Sequence, residues 1–599
     1  MMPPKRVARE PEEPVSHRIV PSVLVAPILA LVAACTVAPS PEVTTAQGGV
    51  SDVGPVEFPS ANRPDVRGTV GAVSSDHPLA SAAGYDVLRS GGNAVDAAIT
   101  MAAVLAVVRP HMNGVGGDAF AIFYDGRTGE VTGMNGSGRA GQLATPGFFD
   151  SGNGQASIPQ SGAGSVSVPG TVAAWADVLE RFGTISLADA LAPAIRYARD
   201  GFPVSTRLAA DFEEQGGSLN EAGRALYLPG GSAPPVGSLL RNPELAATLE
   251  RIAAAGKAGF YEGDVAQTLA SFIEAEGGHL RPGDFAGHTT TWVDPISASY
   301  LGHVFLALPP NTQGMAQLTQ MRIAEHFDLA AMGQNSADYL HTLIEVKKLA
   351  FADRDVWAVD PEFTDIPLDR LMADEYLRGR ASLVDPAVAA TNVEPGIGPP
   401  NAVATGAGNA DGSGDTVYLT AVDGQGNAVS WIQSLFAGFG SGLLEPTTGV
   451  VLQNRGALFT LEQGHPNVVA PGKRPYHTLT PAMALGADGS LAFTLGTPGG
   501  DSQTQSLLAI VNNLLLFGMT PQQAVEAPRY RSYADTRVDL EDRIPAEVRA
   551  ALLRRGHDVR VVHGWTATFG GAQMIRIEPG SGTITVASDP RREAYGIAY

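Results

Sequence analysis

Few residues in this chain are of the types that do covalent or metal chemistry. Its 599 residues include one cysteine, Cys35, so the rest of the sequence has neither disulfides nor thiolate metal sites. The lysines, arginines and histidines form no cluster that suggests a metal or nucleotide site. We therefore expect no bound metal and no cofactor.

Cys35 ends an N-terminal segment whose pattern predicts export. Four basic residues precede an almost wholly apolar stretch over 19–31, which is shorter than the ~20 residues needed to span a bilayer. The small residues Ala33 and Ala34 before the cysteine resemble a bacterial lipobox, in which the thiol is lipidated. We expect residues 1–35 to be a signal peptide ending at a lipidated Cys35. A simple signal peptide and a chance apolar tail are the alternatives.

The segment that follows predicts a spacer between this anchor and the folded protein. Residues 36–67 are rich in Pro, Ser, Thr and Ala, a composition typical of a flexible tether. We expect contact with a membrane only through the N-terminal lipid. The expected location is the bacterial cell envelope, in the periplasm or at the cell surface.

The elements that position any site must come from a large packed core, because 44% of the residues are hydrophobic and only 17% are charged. Acidic residues number 61 against 40 lysines and arginines, and the net charge of −21 repels nucleic acid. We therefore expect no nucleic-acid partner, and the 70 glycines suit a core that binds a ligand. Composition alone supports a large α/β or α+β domain.

Local patterns predict several of these elements. Residues 77–108 are Ala- and Leu-rich and predict two packed helices, with Gly91-Gly92 ending the first and Asn93 capping the second. The β-formers at 119–124, followed by a turn, predict a hairpin. The stretch from 170 to about 348 is predicted to be mostly helical.

A second hairpin is predicted further along the chain, directly after a segment that cannot pack. Residues 416–434 read as a strand, a tight turn at 423–427 and another strand. Residues 396–415 before them contain almost no large side chain and cannot contribute to a core. From the pattern alone, the junction at Thr416 is an ordinary surface linker that runs into a sheet.

Eight short motifs change that interpretation, because they occur in a characteristic order. They are Gly91-Gly92-Asn93-Ala94-Val95-Asp96-Ala97-Ala98, Gly114-Val115-Gly116-Gly117, Val168-Pro169-Gly170, Phe260-Tyr261-Glu262-Gly263, Asp415-Thr416, Gly472-Lys473-Arg474-Pro475, Thr497-Pro498-Gly499-Gly500 and Ala587-Ser588-Asp589-Pro590-Arg591. In this order they resemble the γ-glutamyltranspeptidase family of N-terminal-nucleophile hydrolases, from Gly71 to Tyr599. The resemblance implies an α+β fold, the four-layer αββα sandwich with two antiparallel sheets between helices.

The resemblance also implies that the precursor cuts itself at the bond between Asp415 and Thr416. A large subunit, 68–415, and a small subunit, 416–599, would then stay associated. Thr416 would carry both the nucleophilic hydroxyl and a free α-amine, whose reference pKa of ~7.7–8.0 suits a general base. Nucleophile and base would be one residue.

Two further positions match catalytic features of the family. Gly499 and Gly500 match its oxyanion-hole pair, whose backbone N–H groups stabilise developing negative charge. Ser434 stands where the family has a threonine that hydrogen-bonds the nucleophile. A plain glycine turn and a polar strand residue are the alternatives for these positions.

The substrate-binding positions depart from those of the glutathione-cleaving members. Arg139 lies two positions beyond the place of the family's carboxylate-binding arginine and could substitute for it. Arg455 stands in place of a Glu or Gln, and Leu458 in place of an Asp, so a substrate ammonium group would lose its acidic partners. His477 and Thr478 replace a pair of serines. A salt bridge for Arg455 and a purely structural hydrogen bond for His477 are the alternatives.

Three functional hypotheses follow. The first is a self-processing threonine amidase or acyltransferase that cleaves γ-glutamyl amides of the glutathione type through an acyl-Thr416 intermediate, with water or an amine as acceptor. The second is an amidohydrolase resembling glutaryl or cephalosporin acylases and lacking glutathione activity, which Arg455 favours. The third is a catalytically silent binding lipoprotein.

Overall fold

Two seven-stranded sheets form the centre of the described part of the chain. The computed structural model describes residues 63–150, 157–398 and 414–599, which belong to one compact unit, Phe58–Tyr599. The predicted signal peptide with Cys35, most of the predicted tether and most of the segment before Thr416 lie outside the described residues.

The strands, in chain order, are β1 (Val66–Gly68), β2 (Ala72–Ser75), β3 (Asp118–Tyr124), β4 (Val131–Gly136), β5 (Phe202–Pro203), β6 (Leu239–Leu240), β7 (Thr291–Val293), β8 (Ile296–Tyr300), β9 (His303–Ala307), β10 (Gly414–Val422), β11 (Ala428–Ala437), β12 (Leu444–Glu445), β13 (Val450–Val451), β14 (Ala482–Leu485), β15 (Leu491–Gly496), β16 (Tyr530–Ser532), β17 (Arg537–Glu541), β18 (Asp558–Val562), β19 (Gln573–Ile577), β20 (Ile584–Ser588) and β21 (Tyr595–Ala598). The first sheet has the order β21-β2-β10-β11-β3-β4-β7, and the second sheet has the order β1-β20-β19-β15-β14-β9-β8. All neighbours within these two sheets are antiparallel.

The α-helices are α1 (Pro78–Arg89), α2 (Ala94–Val108), α3 (Pro146–Phe149), α4 (Thr171–Phe182), α5 (Leu187–Asp200), α6 (Thr206–Gln215), α7 (Glu221–Tyr227), α8 (Pro243–Ala255), α9 (Ala258–Tyr261), α10 (Gly263–Ala275), α11 (Pro282–Ala286), α12 (Gly314–Ala324), α13 (Leu329–Met332), α14 (Ala337–Trp357), α15 (Leu368–Leu371), α16 (Asp374–Ala381), α17 (Ser502–Leu515), α18 (Pro521–Glu526) and α19 (Ala546–Arg554). Short 3-10 helices lie at Ala163–Ser165, Gly216–Ser218, Pro229–Gly231, Arg455–Leu458 and Ala567–Phe569. None of the helices described here is long and apolar enough to cross a bilayer.

The alternation of side chains along β10 shows how the layers stack. Leu419 and Ala421 belong to a buried core that the first sheet shares with α1, α2, α4, α5 and α8. Tyr418 and Val422, on the other face of the strand, belong to a core between the two sheets. A third core joins the second sheet to α12, α14, α17 and α18. The order is helix, sheet, sheet, helix, which confirms the predicted αββα sandwich.

Most of the predicted elements are confirmed, with one correction. The predicted helix pair is α1 and α2, and Asn93 caps α2 through a capping box with Asp96. Both predicted hairpins are present, as β3–β4 and β10–β11. Residues 170–348 are mostly helical, as predicted, but the strands β5–β9 within them were not predicted. In β8, the buried Ala298 and Tyr300 alternate with the exposed Ser297 and Ser299, and this two-residue alternation is that of a strand.

Gly496 ends β15 where the second sheet faces Tyr418 of the first, and a Cβ atom added to Gly496 would lie 2.2 Å from the Tyr418 ring. Gly496→Ala must therefore displace a buried ring or the strand, and we expect the free energy of unfolding to fall by about 1–3 kcal/mol. Urea unfolding measures the change. Gly379→Ala in α16 is the matched control, because nothing lies within 4 Å of its added Cβ atom. Equal stability of the two variants would contradict the tight approach of the sheets.

Candidate active site

A β-bulge lies at Thr416, between β10 and β11. Asp415 pairs with Phe436 and Val417 pairs with Gln433, so the register shifts by one residue around Thr416. Phe436 has φ 82°, a left-handed conformation that is costly for a bulky residue. The strand begins at Gly414, two residues before the sequence predicts. The peptide bond between Asp415 and Thr416 thus lies inside the sheet, at its irregular point.

The Ser434 hydroxyl connects Thr416 to the carbonyl group that precedes it. Thr416 Oγ1 donates to Ser434 Oγ at 3.1 Å, and Ser434 Oγ donates to the main-chain oxygen of Asp415 at 2.7 Å. The Phe436 amide also donates to Ser434 Oγ, at 2.7 Å. Thr416 and Ser434 are both buried. Two hydroxyl groups and a carbonyl group therefore meet at one peptide bond.

Arg455 lies against the other side of this hydroxyl. Its Nη2 atom donates to Ser434 Oγ at 3.2 Å, its Nη1 atom donates to Thr478 Oγ1 at 3.0 Å, and its guanidinium lies over the Phe436 ring. The side chain is fully buried. Burial lowers the pKa of Arg455 to about 9, so the charge is still present at neutral pH. The buried Arg455 cation and Thr416 are therefore linked through a single hydroxyl group, that of Ser434.

Asp118 supplies a negative charge near this cation, and the sequence analysis did not identify it. It begins β3, where it pairs with Ser434, and it follows directly on the Gly114-Val115-Gly116-Gly117 motif. Its carboxylate accepts from the Gly138 amide and from Gln453 Nε2, both at 3.0 Å. Burial raises the pKa of Asp118 to about 7, and the Arg455 charge opposes the rise. The glycine-rich motif before a strand was the available signal.

His477 lies against the same carboxylate. Its Nε2 atom is 3.1 Å from Asp118 Oδ2, and its Nδ1 atom accepts from the Leu479 amide at 3.4 Å. Because Nδ1 accepts, the proton of the neutral ring is on Nε2 and points at Asp118. Burial holds the pKa of His477 well below its usual range. The two hydrogen bonds of the His477 ring therefore hold the Asp118 carboxyl group and the Leu479 main chain in place.

Gly499 and Gly500 form a turn at the end of β15, with φ values of 129° and 57°. The φ at Gly499 strains any L side chain, and an added Cβ atom would lie 2.3 Å from Ser502 Oγ, so glycine is favoured there. Neither amide N–H of the pair donates to a described residue. Gln313 Nε2 donates to the carbonyl oxygens of Gly500 and Thr478, at 3.0 and 2.6 Å. The Gln313 side chain therefore links the Gly499-Gly500 turn to Thr478, whose hydroxyl group accepts from Arg455.

Arg139 has its partners elsewhere. Its guanidinium donates to the carbonyl oxygen of Gly472 at 2.9 Å and to Glu362 at 2.6 Å, and Asp360 lies 3.9 Å away. Hydrogen bonds from Arg139 and Arg474 lower the pKa of Glu362 to about 2. Thr416, Ser434, Arg455 and Thr478 share one hydrogen-bonded chain, and Arg139 donates to none of them in the described structure.

Behind the bulge, the Asp415 side chain pairs with an arginine that the sequence analysis also missed. Arg592 Nη2 lies 2.9 Å from Asp415 Oδ1, and both side chains are buried. Arg109, Asp76 and Asp211 form further buried ion pairs nearby. Arg592 lies one position beyond the Ala587–Arg591 motif, and that neighbouring motif was the available signal in the sequence. The ion pair fixes the residue whose carbonyl group faces Ser434.

Comparisons with known proteins agree with this architecture. Residues 80–599 match the family described as Gamma-glutamyltranspeptidase. A glutathione hydrolase-like proenzyme, YwrD, of Bacillus subtilis is 37% identical over 542 residues, which cover 89% of this chain and 99% of that protein. An oxamate amidohydrolase proenzyme of Klebsiella pneumoniae is 35% identical over 547 residues, with coverages of 89% and 99%.

The comparison of structures gives the same result. The crystal structure of a cephalosporin acylase from Bacillus halodurans matches with a TM-score of 0.83 and 35% identity, covering 92% of this chain and 99% of that one. The predicted family is thereby confirmed. The chain belongs to the γ-glutamyltranspeptidase family of self-processing amidohydrolases.

Proposed function

We propose that this protein is a self-processing threonine amidase that hydrolyses amides of dicarboxylic acyl groups, of glutaryl length or shorter, through an acyl-Thr416 intermediate. The observation that carries the proposal is the buried Arg455 guanidinium, which donates to the same Ser434 hydroxyl as Thr416 does. A guanidinium in a buried site is a strong partner for a carboxylate. An acyl group with a carboxylate at its far end would place its amide carbonyl near the threonine.

Processing would begin with attack by Thr416 Oγ1 on the carbonyl carbon of Asp415. Negative charge then develops on the Asp415 oxygen, to which Ser434 already donates at 2.7 Å. The C–N bond breaks, the hydroxyl proton ends on the Thr416 nitrogen, and an ester joins Asp415 to Thr416. Water hydrolyses that ester, which leaves a new carboxylate on Asp415, the restored hydroxyl and a free α-amine on Thr416. The products are the chain that ends at Asp415, which contains the proposed large subunit, 68–415, and the small subunit, 416–599.

Turnover would use the same hydroxyl with the new amine as its base. The amine takes the Oγ1 proton as the oxygen attacks the substrate amide, and returns it to the departing amine. The Gly499 and Gly500 N–H groups, which donate to no described residue, would stabilise the oxyanion. Water then cleaves the acyl ester and regenerates Thr416. The mechanism needs no metal or cofactor.

The pocket chemistry disfavours an α-ammonium group on the acyl chain. Leu458, at the position of the family's acid, packs with Phe436 and Tyr476 in an apolar cluster. An ammonium group there would meet a leucine and the Arg455 charge, and a buried charge without a partner costs several kcal/mol. Among the relatives, one is named for oxamate, whose carboxylate adjoins its amide, and a solved structure is that of a cephalosporin acylase. Cleavage of γ-glutamyl amides is therefore the alternative to the dicarboxylic proposal, and turnover of glutaryl and γ-glutamyl anilides distinguishes the two.

The first prediction concerns processing. Wild-type protein should run as two chains under denaturing conditions, whereas Thr416→Ala should stay as one. Ser434→Ala should process ~10²- to 10³-fold more slowly, because it loses the donor to the Asp415 oxygen. Ser434→Thr, which keeps a hydroxyl, is the matched control and should process nearly normally. A wild-type chain that stays uncut would favour the silent binding protein, and a Thr416→Ala chain that is still cut would show that Thr416 is not the nucleophile of processing.

The second prediction concerns the acyl group. The wild-type kcat/KM should be higher for a glutaryl anilide than for a γ-glutamyl anilide, and succinyl and oxalyl anilides would report the preferred length. Arg455→Gln should reduce the glutaryl to γ-glutamyl ratio several-fold. Both acyl groups carry the far carboxylate and lose its partner, whereas only the γ-glutamyl group is also relieved of the repulsion between its ammonium group and the guanidinium. The ratio does not depend on the fraction of protein that is processed.

Arg139→Gln is the control for the same measurement. It removes a guanidinium that is paired with Glu362 and should leave the ratio near its wild-type value. A ratio that falls with Arg139→Gln and not with Arg455→Gln would move the carboxylate site to Arg139. Equal or faster turnover of the γ-glutamyl anilide by the wild-type protein would reject the dicarboxylic proposal.

The third prediction concerns pH. With a pKa raised to about 7, Asp118 is protonated below that pH and ionised above it, where its charge offsets that of Arg455. The inhibition constant of glutarate should therefore increase by a few-fold as pH rises from 6 to 8. Asp118→Asn should remove most of that increase and leave any part that comes from the Thr416 amine. Identical profiles for the two proteins would show that Asp118 does not control this site.

A further inference from the structure

A second group of buried chemical side chains lies far from Thr416 in the sequence. His341 and Glu345 are one helical turn apart on α14, so they share a face of that helix. His557 follows α19 and packs against them. All three side chains are buried. One donor atom from each lies within 4.8 Å of the other two.

We propose that His341, Glu345 and His557 form a binding site for a transition-metal ion, with Zn²⁺ as the best-matched ion. Two imidazole nitrogens and one carboxylate oxygen are a donor set that zinc takes with bonds of ~2.0–2.2 Å, leaving a fourth position for water. Calcium and magnesium are disfavoured because they prefer sites made of oxygen atoms.

The hydrogen bonds of His341 orient its ring as a ligand. Its Nε2 atom lies 2.7 Å from the carbonyl oxygen of Asp385, so Nε2 carries the proton and Nδ1 carries the lone pair. That lone pair faces His557 Nε2 at 2.8 Å. A carbonyl group behind the distal nitrogen is the arrangement that commonly fixes metal-binding histidines. One ion placed between the two rings would replace the single proton that they share.

His557 is the less satisfied of the two rings. Its Nδ1 atom is buried and has no hydrogen-bond partner among the described residues. Both rings are buried, and zinc binds an imidazole through a nitrogen lone pair. Lys348 and Arg555 are the cations whose charges act on this pair.

Lys348 competes with a metal ion for Glu345. Its ammonium group lies 2.8 Å from Glu345 Oε1 and donates to the Ala390 carbonyl oxygen at 2.7 Å, while Glu345 Oε2 accepts from the Ala390 amide at 3.1 Å. An incoming cation must share this carboxylate with a buried positive charge. Lys348 therefore lowers the metal affinity of the site. A cavity of about 280 Å³, lined in part by Glu345, Arg380 and Ala390, gives room beside the carboxylate.

The site would join the two subunits if the proposed cut at Asp415 occurs. His341 and Glu345 precede that bond in the chain, and His557 follows it. An ion held by all three would then link the large and small subunits by coordination. Only this linking role depends on the proposed processing, because an uncut chain would contain the same three ligands.

The test uses full-length protein, freed of metal by EDTA and titrated with ZnCl₂ by calorimetry. We expect one equivalent to bind, and we expect the thermal midpoint to rise with zinc concentration. His341→Asn and His557→Asn should each lose this binding. His563→Gln changes an exposed histidine and should bind as the wild type does.

Lys348→Met keeps the predictions falsifiable if the histidine variants fold poorly. It removes the competing charge and should bind zinc at least 10-fold more tightly than the wild type, a gain that misfolding does not produce. Co²⁺ in place of zinc should give the visible absorption of a tetrahedral complex. Binding that survives both histidine substitutions would overturn the proposal, and so would the lack of stoichiometric binding in both the wild type and Lys348→Met. Neither outcome depends on whether the chain is cut.

Discussion

The hydrogen bonds of the Ser434 hydroxyl are the constraint on which the site depends. The Ser434 oxygen accepts hydrogen bonds from the Thr416 hydroxyl and the Arg455 guanidinium, and its hydroxyl donates to the carbonyl group of Asp415. Three stretches of chain meet there, because β10 contributes the bond, β11 the serine and the 3-10 helix after β13 the arginine. At the bulge, Ser434 and Leu435 both lie opposite Thr416, and the Ser434 hydroxyl is within hydrogen-bond distance of both Thr416 Oγ1 and the Asp415 carbonyl oxygen.

The buried arginines near this oxygen differ in their partners, and that difference separates a structural cation from one that can bind a ligand. Arg592 is paired directly with Asp415, so its charge holds the bond in place. Arg455 donates only to hydroxyl groups in the described structure, and Asp118 acts on its charge from a distance. A guanidinium without a directly bound carboxylate can take one from a ligand. The proposed preference for dicarboxylic acyl groups follows from that open position together with the apolar surroundings of Leu458.

Much of the fold could be predicted because its signals are local. The capped helix pair and both hairpins agree with the sequence patterns, and the αββα layers agree with the family resemblance. The strands β7–β9 could not be told from the helices around them, because short half-buried strands carry little periodic signal. The predicted site residues are Thr416, Asp415, Ser434, Gly499, Gly500, Arg139, Arg455, His477 and Thr478, and their roles stay predictions. Asp118, Arg592 and the cluster of His341, Glu345 and His557 were missed because their partners lie far away in the sequence.

Intact-mass spectrometry of catalytically active protein, mixed with a slowly hydrolysed glutaryl ester and followed by fragmentation, tests the central claim most directly. The account predicts a chain with the mass of residues 416–599 that carries one glutaryl group on the hydroxyl of its N-terminal threonine. Active protein in which the backbone is continuous between Asp415 and Thr416 would contradict the account. An acyl group attached to any other residue would contradict it equally.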